Sequence, residues 1–282
     1  MGKAIYKPKG KAAEYGKYAC NFHVGCSNGC TYCYCKKGIL SKSMGGDVPV
    51  LKKCFKDEGH ALKIFEKELL QNKEELQKHG LFFSFTSDPM LPETIDITMK
   101  AIEAATDNYV PVKILTKCTC WVDAYLRYCE IFEDAIGGGQ EWRKNYAFGF
   151  TLTGHDELEP NASPNSERIE AMKKLHAASF KTWTSIEPII DFESSKDMIR
   201  KTAGYCDLYK IGLESGKNYD NNSLLKFIEY CNSAYMNGKG GFYYQKNYFK
   251  DSLLKQAGIN REKLPDNCVD RDYNIFKNEK TY

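Results

Sequence analysis

Three cysteines share one short segment of this sequence and limit what the chain can fold around. Cys26, Cys30 and Cys33 have the spacing C-x-x-x-C-x-x-C. Cysteine thiolates are the usual ligands of iron–sulfur clusters, and a cube-shaped four-iron cluster takes four ligands. Three thiolates therefore leave one iron open for another molecule. Gly25 and Gly29 let the backbone pass close to the sulfurs, because glycine has no Cβ that would clash there.

A zinc site is the alternative interpretation of the same segment. Structural zinc binds four protein ligands, commonly as two C-x-x-C pairs. Cys20 and Cys35 lie close enough in the sequence to supply a fourth thiolate. The spacing favours the cluster, and zinc stays the alternative at this point.

The composition indicates a cytoplasmic protein. The 282 residues include twelve cysteines, and 42% of them are hydrophobic, as in an ordinary globular protein. The first 17 residues are rich in lysine and glycine and lack the apolar core of a signal peptide. No segment approaches the ~20 apolar residues that span a bilayer. We therefore expect reduced thiols, a reducing compartment and no membrane partner.

The spacing of the three cysteines resembles the signature of the radical S-adenosylmethionine superfamily. The resemblance implies a 4Fe-4S cluster whose open iron binds the amino and carboxylate groups of S-adenosylmethionine. In that superfamily, one electron from the cluster cleaves S-adenosylmethionine to a 5'-deoxyadenosyl radical, which abstracts a hydrogen atom from the substrate. A reductant such as flavodoxin or ferredoxin is the implied electron source. The cofactor carries the chemistry and the protein positions it.

Strand and helix patterns alternate along most of the chain. Apolar runs predict six buried strands, and helical patterns of about 10–15 residues separate them, which indicates parallel βαβ units. The sequence thus predicts an α/β fold and, by the resemblance, a partial (β/α)6 barrel of the radical SAM type. The predicted strands span residues 19–24, 81–86, 110–116, 146–153, 181–186 and 208–213, and the predicted helices span 50–78, 94–106, 121–135, 166–178, 194–202 and 223–235.

We expect a basic N-terminal arm at residues 1–18, the barrel at 19–236 and a short C-terminal appendage at 237–282. The net charge of +3 is too small to require a nucleic-acid partner. Lysines in the arm, and lysines interleaved with aromatic rings at residues 239–250, nevertheless suit phosphate contact and base stacking. For either segment alone, a disordered tail or aromatic packing on the core is the better interpretation.

Short motifs along the chain narrow the resemblance to the spore photoproduct lyase family and its relatives labelled DNA repair photolyases. They occur in the family's order and extend from about residue 19 to residue 250. The motifs are Tyr32-Cys33-Tyr34, Phe85-Thr86-Ser87-Asp88, Leu115-Thr116-Lys117, Phe148-Gly149-Phe150-Thr151, Glu159-Pro160, Glu167-Arg168-Ile169-Glu170-Ala171 and Tyr244-Gln245-Lys246.

The resemblance also implies site residues. Ser87, Asp88, Lys117 and Thr151 would contact S-adenosylmethionine. Functional residues in parallel barrels follow the C-terminal ends of strands, and Glu214 is a further candidate for cofactor contact on that basis. The candidates for catalytic residues beside the cofactor are Tyr32 and Tyr34.

Phe85 departs from the family pattern. In the lyase, a cysteine at this position returns a hydrogen atom to the thymine product, and an aromatic ring cannot do this. Cys118 and Cys120, which follow Lys117, are candidate replacement donors, as is Cys35. Each is alternatively an auxiliary-cluster ligand or a small buried hydrophobic residue.

Glu187 is the second departure, because the lyase strand ends in Ala-Pro and this one ends in Glu187-Pro188. A carboxylate there would bind a substrate ammonium or hydroxyl group, or act as a general base with a raised pKa. The alternative is a structural ion pair with Lys117 or Lys210. Together with Glu214, Glu187 suits a flipped base or a smaller polar substrate better than a DNA backbone.

Two enzyme hypotheses and one binding hypothesis follow. The first is a radical S-adenosylmethionine enzyme that acts on a nucleic-acid base or lesion. The second is a radical S-adenosylmethionine enzyme that modifies a peptide or a small metabolite. The third, and the least supported, is a non-catalytic module that binds zinc or an iron–sulfur cluster.

Overall fold

The structure is a computed structural model that describes residues 2–136, 139–233, 235–236, 242–243 and 246–277. Its strands are β1 (Ile5–Tyr6), β2 (Ala19–Cys20), β3 (His23–Val24), β4 (Val50–Leu51), β5 (Leu81–Phe83), β6 (Val112–Thr116), β7 (Tyr146–Thr151), β8 (Lys181–Ile189), β9 (Leu208–Leu213), β10 (Tyr235–Met236), β11 (Phe242–Tyr243) and β12 (Asn247–Phe249). Eight of them form one sheet in the order β1-β2-β5-β6-β7-β8-β9-β12.

The sheet is parallel from β2 to β12, and only β1 pairs antiparallel, at the edge. The six predicted strands correspond to β2 and to β5 through β9, so the expected α/β fold with a parallel sheet is confirmed. Among the described residues the sheet is open, since β1 and β12 form its two edges and no pairing joins them.

Helices connect the parallel strands, as the sequence predicts. Three of them begin at aspartates whose carboxylates accept backbone N–H groups. These are Asp57 before the helix Glu58–Gln71, Asp191 before Phe192–Thr202 and Asp220 before Asn221–Asn232. The helices are α1 (Ser41–Met44), α2 (Glu58–Gln71), α3 (Lys73–His79), α4 (Ile95–Asp107), α5 (Val122–Ile136), α6 (Asn165–Ala177), α7 (Phe192–Thr202), α8 (Asn221–Asn232) and α9 (Asp251–Ala257).

The core has two parts because strand side chains alternate between the faces of the sheet. Leu81 and Phe83 of β5 belong to a large cluster that includes the buried faces of the helices. Phe82, between them, belongs to a smaller cluster with Tyr15, Trp183 and the C-terminal residues that pack near it. The second cluster lies on the face of the sheet that carries no connecting helix. Some of its side chains, such as Tyr15, also line the site described below.

The segment predicted as a basic arm is part of this architecture. Its β1 extends the sheet, and Gly10–Glu14 forms a 3-10 turn in which Glu14 is buried. At the other edge, β12 adds a seventh parallel strand beside β9. The backbone N–H of Asp251, which follows β12, donates to Glu14 Oε1 over 2.8 Å. This hydrogen bond joins the C-terminal segment to the N-terminal segment.

Two predictions fall partly outside the described residues. The lysine and aromatic run at 239–250 and the Tyr244-Gln245-Lys246 motif are described only in part. Of the described helices, none combines the length and the apolar character needed to cross a bilayer.

Candidate active site

A cavity of about 420 Å³ lies at the C-terminal ends of the parallel strands. The strand ends bring together residues that are far apart in the sequence, as expected for a parallel α/β sheet. Of the predicted site residues, the cavity is lined by Cys26, Cys30, Tyr32, Cys33, Tyr34, Ser87, Asp88, Lys117, Thr151, Glu187 and Glu214.

The cysteine segment is a loop whose shape depends on its glycines. Gly25 and Gly29 have φ angles of 84° and 71°, in the left-handed region that glycine adopts without strain. A Cβ on Gly25 would lie 2.4 Å from the carbonyl oxygen of Val48, so the loop and the following segment approach closely here. The N–H of Cys26 donates to the carbonyl of Gly46 over 3.0 Å and fixes the first cysteine.

The three loop thiols differ in their electrostatic surroundings. Burial raises the pKa of Cys26 to about 11 and also raises the pKa of Cys30. A hydrogen bond from the Cys35 thiol lowers the pKa of Cys33 to about 6, and the Lys117 ammonium acts in the same direction. Within the described residues, no three His, Cys, Asp or Glu side chains are placed as a set of metal ligands.

Asp88 connects the cysteine loop to the ends of β5 and β6. Its carboxylate accepts from Asn28 Nδ2 at 2.9 Å, from Thr116 Oγ1 at 2.6 Å and from the N–H groups of Lys117 and Met90 at 2.7 and 3.0 Å. Four donors to one buried carboxylate strongly favour a fixed orientation. The Asp88 carboxylate thus fixes the Asn28 side chain and the Lys117 backbone, and its direct contact with the cofactor stays a prediction.

Two buried oxygens at the cavity have no hydrogen-bond partner within the described part of the chain. Ser87 Oγ and Asn28 Oδ1 are the cavity-lining members of a small set of buried side-chain atoms without a hydrogen bond among the described residues. Buried polar groups are normally hydrogen-bonded, and an unpaired one costs stability. These oxygens are therefore positioned to interact with a polar ligand beside the cysteine loop.

Lys117 places a cation above the same loop. Its ammonium lies 5.7 Å from the ring centroid of Tyr32, and the phenol of Tyr32 donates to Glu159. Glu159 in turn forms a fully buried ion pair with Arg168 at 2.7 Å. Burial disfavours the charge of Lys117, but the neighbouring Cys30 and Glu159 outweigh it and raise its pKa. The lysine thus remains a cation in the cavity wall.

Glu187 forms the far wall of the cavity and is not paired with Lys117 or Lys210. Its carboxylate accepts from Lys250 Nζ at 2.8 and 2.9 Å and from the phenol of Tyr15 at 2.5 Å. The pairing of β8 with β9 shifts register between Ile186 and Ile189, so Glu187 lies on a bulge. Bulges re-aim side chains at active sites, and this one directs a carboxylate to the cavity.

The Glu187 wall continues into a buried network. Lys250 Nζ is also 3.5 Å from Glu14 Oε2, and both side chains are only 3% exposed. Beneath them, the ammonium of Lys210 lies 4.6 Å from the ring centroid of Tyr248, and burial with the nearby Lys113 and Lys250 lowers its pKa well below the usual range. Cation–π contacts of this kind partly compensate for the lost hydration of a lysine.

The mouth of the cavity is lined by charges and by apolar side chains. Lys37 forms an ion pair with Glu214 at 3.0 Å, and Lys11 donates to Ser215 Oγ at 3.2 Å. The phenol of Tyr34 donates to the backbone carbonyl of Phe85. The Phe85 ring packs against Phe82 and Tyr15 with centroid distances of 4.5 and 6.0 Å. Phe85 therefore forms an apolar wall between the mouth and Glu187.

Cys118 and Cys120 are outside the set of described residues that line the cavity. Their Sγ atoms lie 3.3 Å apart, with Cys118 buried and Cys120 exposed. Cys35 does line the cavity, and its thiol donates to the carbonyl of Phe85 over 3.7 Å. Of the candidate replacement donors, only Cys35 is thus placed in the cavity wall.

Sequence reasoning did not identify Tyr15, Glu159 or Lys250 as site residues. Tyr15 comes from the predicted arm, and Lys250 from the predicted appendage, so no local pattern connected them to the strand ends. Glu159 had a signal, because it belongs to one of the motifs that carry the resemblance. Its role in holding Tyr32 is visible only from the packed structure.

Comparison with known proteins agrees with this geometry at the level of the fold. No protein-family model matches the sequence. Over 202 residues the chain is 26% identical to an uncharacterized protein of Methanocaldococcus jannaschii, a match that covers 68% of each protein.

Two solved structures of spore photoproduct lyase share the fold. One is a mutant with bound AdoMet and dinucleoside spore photoproduct, with a TM-score of 0.56 and 17% identity. The other is complexed with dinucleoside spore photoproduct, with a TM-score of 0.54 and 16% identity. Each match covers 90% of this chain and 73% of the lyase. The predicted resemblance to spore photoproduct lyase is confirmed by this shared fold.

Proposed function

We propose that this protein is a radical S-adenosylmethionine enzyme. The observation that carries the proposal is the composition of one cavity wall: three loop cysteines face the same space as Ser87 and Lys117. Soft thiolates suit an iron–sulfur cluster. An ammonium group and unpartnered oxygens beside them suit a ligand that carries both a carboxylate and an amino group. The donor set of this chain therefore fits a cluster with bound S-adenosylmethionine.

In this proposal Cys26, Cys30 and Cys33 hold the 4Fe-4S cluster, and S-adenosylmethionine is bound with the help of Ser87, Lys117, Thr151 and Glu214. When bound, the two cofactors supply a 5'-deoxyadenosyl radical for hydrogen abstraction. Asp88 fixes the backbone of Lys117 and the side chain of Asn28, which pre-organises that end of the cavity.

The remaining walls select and shield the substrate. Phe85 and Tyr15 present aromatic surface, and the phenol of Tyr34 donates to the backbone carbonyl of Phe85. Apolar walls exclude water, which protects a reactive radical from side reactions. Glu187 presents a carboxylate whose orientation is fixed by Lys250 and Tyr15. A substrate with a flat ring and a hydrogen-bond donor at its edge suits these walls.

Two substrate classes suit such walls, and we propose a nucleic-acid base as the first. Its support is the aromatic surface of Phe85 and Tyr15 together with Lys11, Lys36 and Lys37 near the mouth. Bases stack on aromatic rings, and lysines contact phosphates. A peptide or small metabolite is the second class, supported by the Glu187 and Glu214 carboxylates, which repel a polyanion.

The cofactor assignment is tested with protein purified without oxygen. We expect iron and acid-labile sulfide, and release of 5'-deoxyadenosine when S-adenosylmethionine and dithionite are added. Cys30→Ala should abolish the iron–sulfur absorbance and the release, whereas the exposed Cys54→Ala should change neither. Stoichiometric zinc without sulfide in the wild-type protein would contradict the proposal and support a zinc module.

The substrate class is tested by the salt dependence of binding. Affinity for single-stranded DNA or RNA should fall steeply as salt rises, since each phosphate contact releases counterions. Lys11→Met should reduce the slope, because Lys11 lies at the mouth. Binding that is absent, or that does not depend on salt, would contradict the nucleic-acid class and favour the peptide or metabolite class.

A further inference from the structure

Cys118 and Cys120 form a pair of thiols that the proposed reaction does not use. Their Sγ atoms lie 3.3 Å apart, a van der Waals contact between two unbonded sulfurs. Cys118 is 9% exposed and packs in the core, whereas Cys120 is open to solvent. A disulfide requires sulfurs about 2.05 Å apart, so the two sulfurs must approach by roughly 1.3 Å to close this pair.

The turn that carries these thiols is fixed on both sides. The N–H of Cys118 donates to Thr116 Oγ1 over 2.9 Å, and its carbonyl accepts from Trp121 Nε1 over 2.8 Å. The N–H of Thr119 donates to Ser163 Oγ over 3.1 Å. The backbone therefore holds the two thiols next to each other, which raises their effective concentration for reaction with one another.

The environments of the two sulfurs assign different roles to them. Thiol–disulfide exchange begins with attack by an accessible thiolate, and it finishes fastest when a second thiol is already in contact. Cys120 satisfies the first condition because it is exposed, and Cys118 satisfies the second. Burial raises the pKa of Cys118 to about 12, so Cys118 reacts poorly with an external molecule and needs a partner that is already bound.

We propose that Cys118 and Cys120 form a reversible thiol–disulfide site for linear disulfides. The Cys120 thiolate attacks one sulfur of the disulfide RSSR and releases RS⁻, which leaves a mixed disulfide on Cys120. The Cys118 thiol loses its proton to solvent, attacks Cys120 Sγ and releases the second RS⁻. Two protein thiols are oxidised to one disulfide, and one RSSR is reduced to two RSH.

The site lies beside the cavity without being part of its wall. Lys117 directly precedes Cys118, and its carbonyl accepts from the N–H of Ser163 over 3.0 Å. The thiol pair is therefore at the segment that positions the cavity lysine. The inference depends only on the two sulfurs, so it does not require the proposed function to be correct.

The test uses one peptide of the full-length protein. Trypsin cleaves after Lys117 and Arg127, so the peptide 118–127 contains both thiols and no other cysteine. The protein is incubated with oxidised glutathione, blocked with N-ethylmaleimide, digested and weighed by mass spectrometry. We expect the peptide to lack both labels and to be lighter than the reduced peptide by two hydrogen atoms. Dithiothreitol should restore both labelled thiols.

Single-cysteine variants distinguish the two roles. Cys118→Ser should trap one glutathione on Cys120, and Cys120→Ser should reduce modification of the peptide by about tenfold or more, because Cys118 is buried. Cys129→Ser, which removes the next thiol on α5, should leave the wild-type result unchanged. Two glutathiones on the wild-type peptide, or no reaction of Cys120 in Cys118→Ser, would overturn the proposal.

Discussion

Gly212 of β9 lies directly against the side chain of Glu187 on the neighbouring strand. A Cβ placed on Gly212 would be 2.9 Å from Cδ of Glu187 and 2.7 Å from Cδ of Lys250. Lys250 has little room to retreat, since its side chain is 3% exposed and is joined to Glu187 by hydrogen bonds. Because Gly212 has no side chain, the Glu187–Lys250 pair can pack directly against its backbone.

Gly212→Ala should displace that pair and destabilise the protein. Overpacking of a filled interior costs about 1–3 kcal/mol. Urea denaturation should show this loss. Gly204→Ala is the matched control, because no atom lies within 4 Å of its added Cβ. Equal stability of the two variants would contradict the packing described here.

Glu159→Gln, which changes a buried residue behind the cavity-lining Tyr32, should be strongly destabilising. It leaves the guanidinium of Arg168 buried without its charge partner, and breaking a buried pair in this way costs about 3–5 kcal/mol. Lys173→Met removes one partner of the exposed Lys173–Glu170 pair and should change the unfolding free energy by less than about 1 kcal/mol. Chemical denaturation measures the unfolding free energy of both variants. A loss below about 1 kcal/mol for Glu159→Gln would contradict a stabilising role of the buried Glu159–Arg168 ion pair.

The charge of Asp191 should stabilise the protein only above acidic pH. Burial opposes its ionisation, but hydrogen bonds from Ser194 and His155 outweigh it and lower the pKa from 3.8 to about 2. A lowered folded-state pKa stabilises the fold above the unfolded value, and this contribution is lost as pH falls through the folded value. Asp191→Asn keeps a residue that caps α7 and removes the charge.

The stability difference between wild type and Asp191→Asn should therefore have its full size above about pH 4, as long as His155 is protonated. It should shrink between about pH 4 and pH 2. Because the Asp191 side chain is 45% exposed, we expect the difference to be below about 1 kcal/mol. Urea titrations at a series of pH values provide the measurement. If the stability advantage of wild type over Asp191→Asn increased as the pH falls, the predicted stabilisation by the Asp191 charge would be contradicted.

Lys117→Met should weaken binding of S-adenosylmethionine if the proposed function is correct. A hydrogen bond to a charged group contributes about 1.5–3 kcal/mol, which corresponds to roughly a 10- to 150-fold higher Kd. Equilibrium binding to the cluster-loaded protein measures the change. Lys36→Met is the matched control, since Lys36 also lines the cavity but pairs with the exposed Asp47. Equal effects of the two variants would contradict a specific role for Lys117.

Sequence patterns were sufficient for the parallel sheet and for the strand ends that meet at the cavity. Each strand from β5 to β9 is a separate apolar run, and a polar residue follows it. The local sequence pattern therefore predicted both the strand and the candidate site residue after it. The glycines beside Cys26 and Cys30 were also interpretable, because positive φ angles at Gly25 and Gly29 are properties of single residues.

The rest depended on contacts between distant parts of the chain. The partner of Glu187 is Lys250, 63 residues away, in a segment that local patterns described only as an appendage. The sequence also did not predict that the Asp88 carboxylate accepts hydrogen bonds from four donors in three segments of the chain. Pairings of this kind are set by the order of strands in the sheet, which periodicity does not specify.

The hydrogen bond between Asp251 and Glu14 joins residues that are 237 positions apart, so it can form only when translation is nearly finished. The cysteine loop leaves the ribosome early, whereas the lysine that completes the Glu187 wall is translated near the end. Domains fold as units during and after translation, so Glu187 lacks its ion-pair partner, and its side of the cavity is unfinished, until Lys250 has been translated.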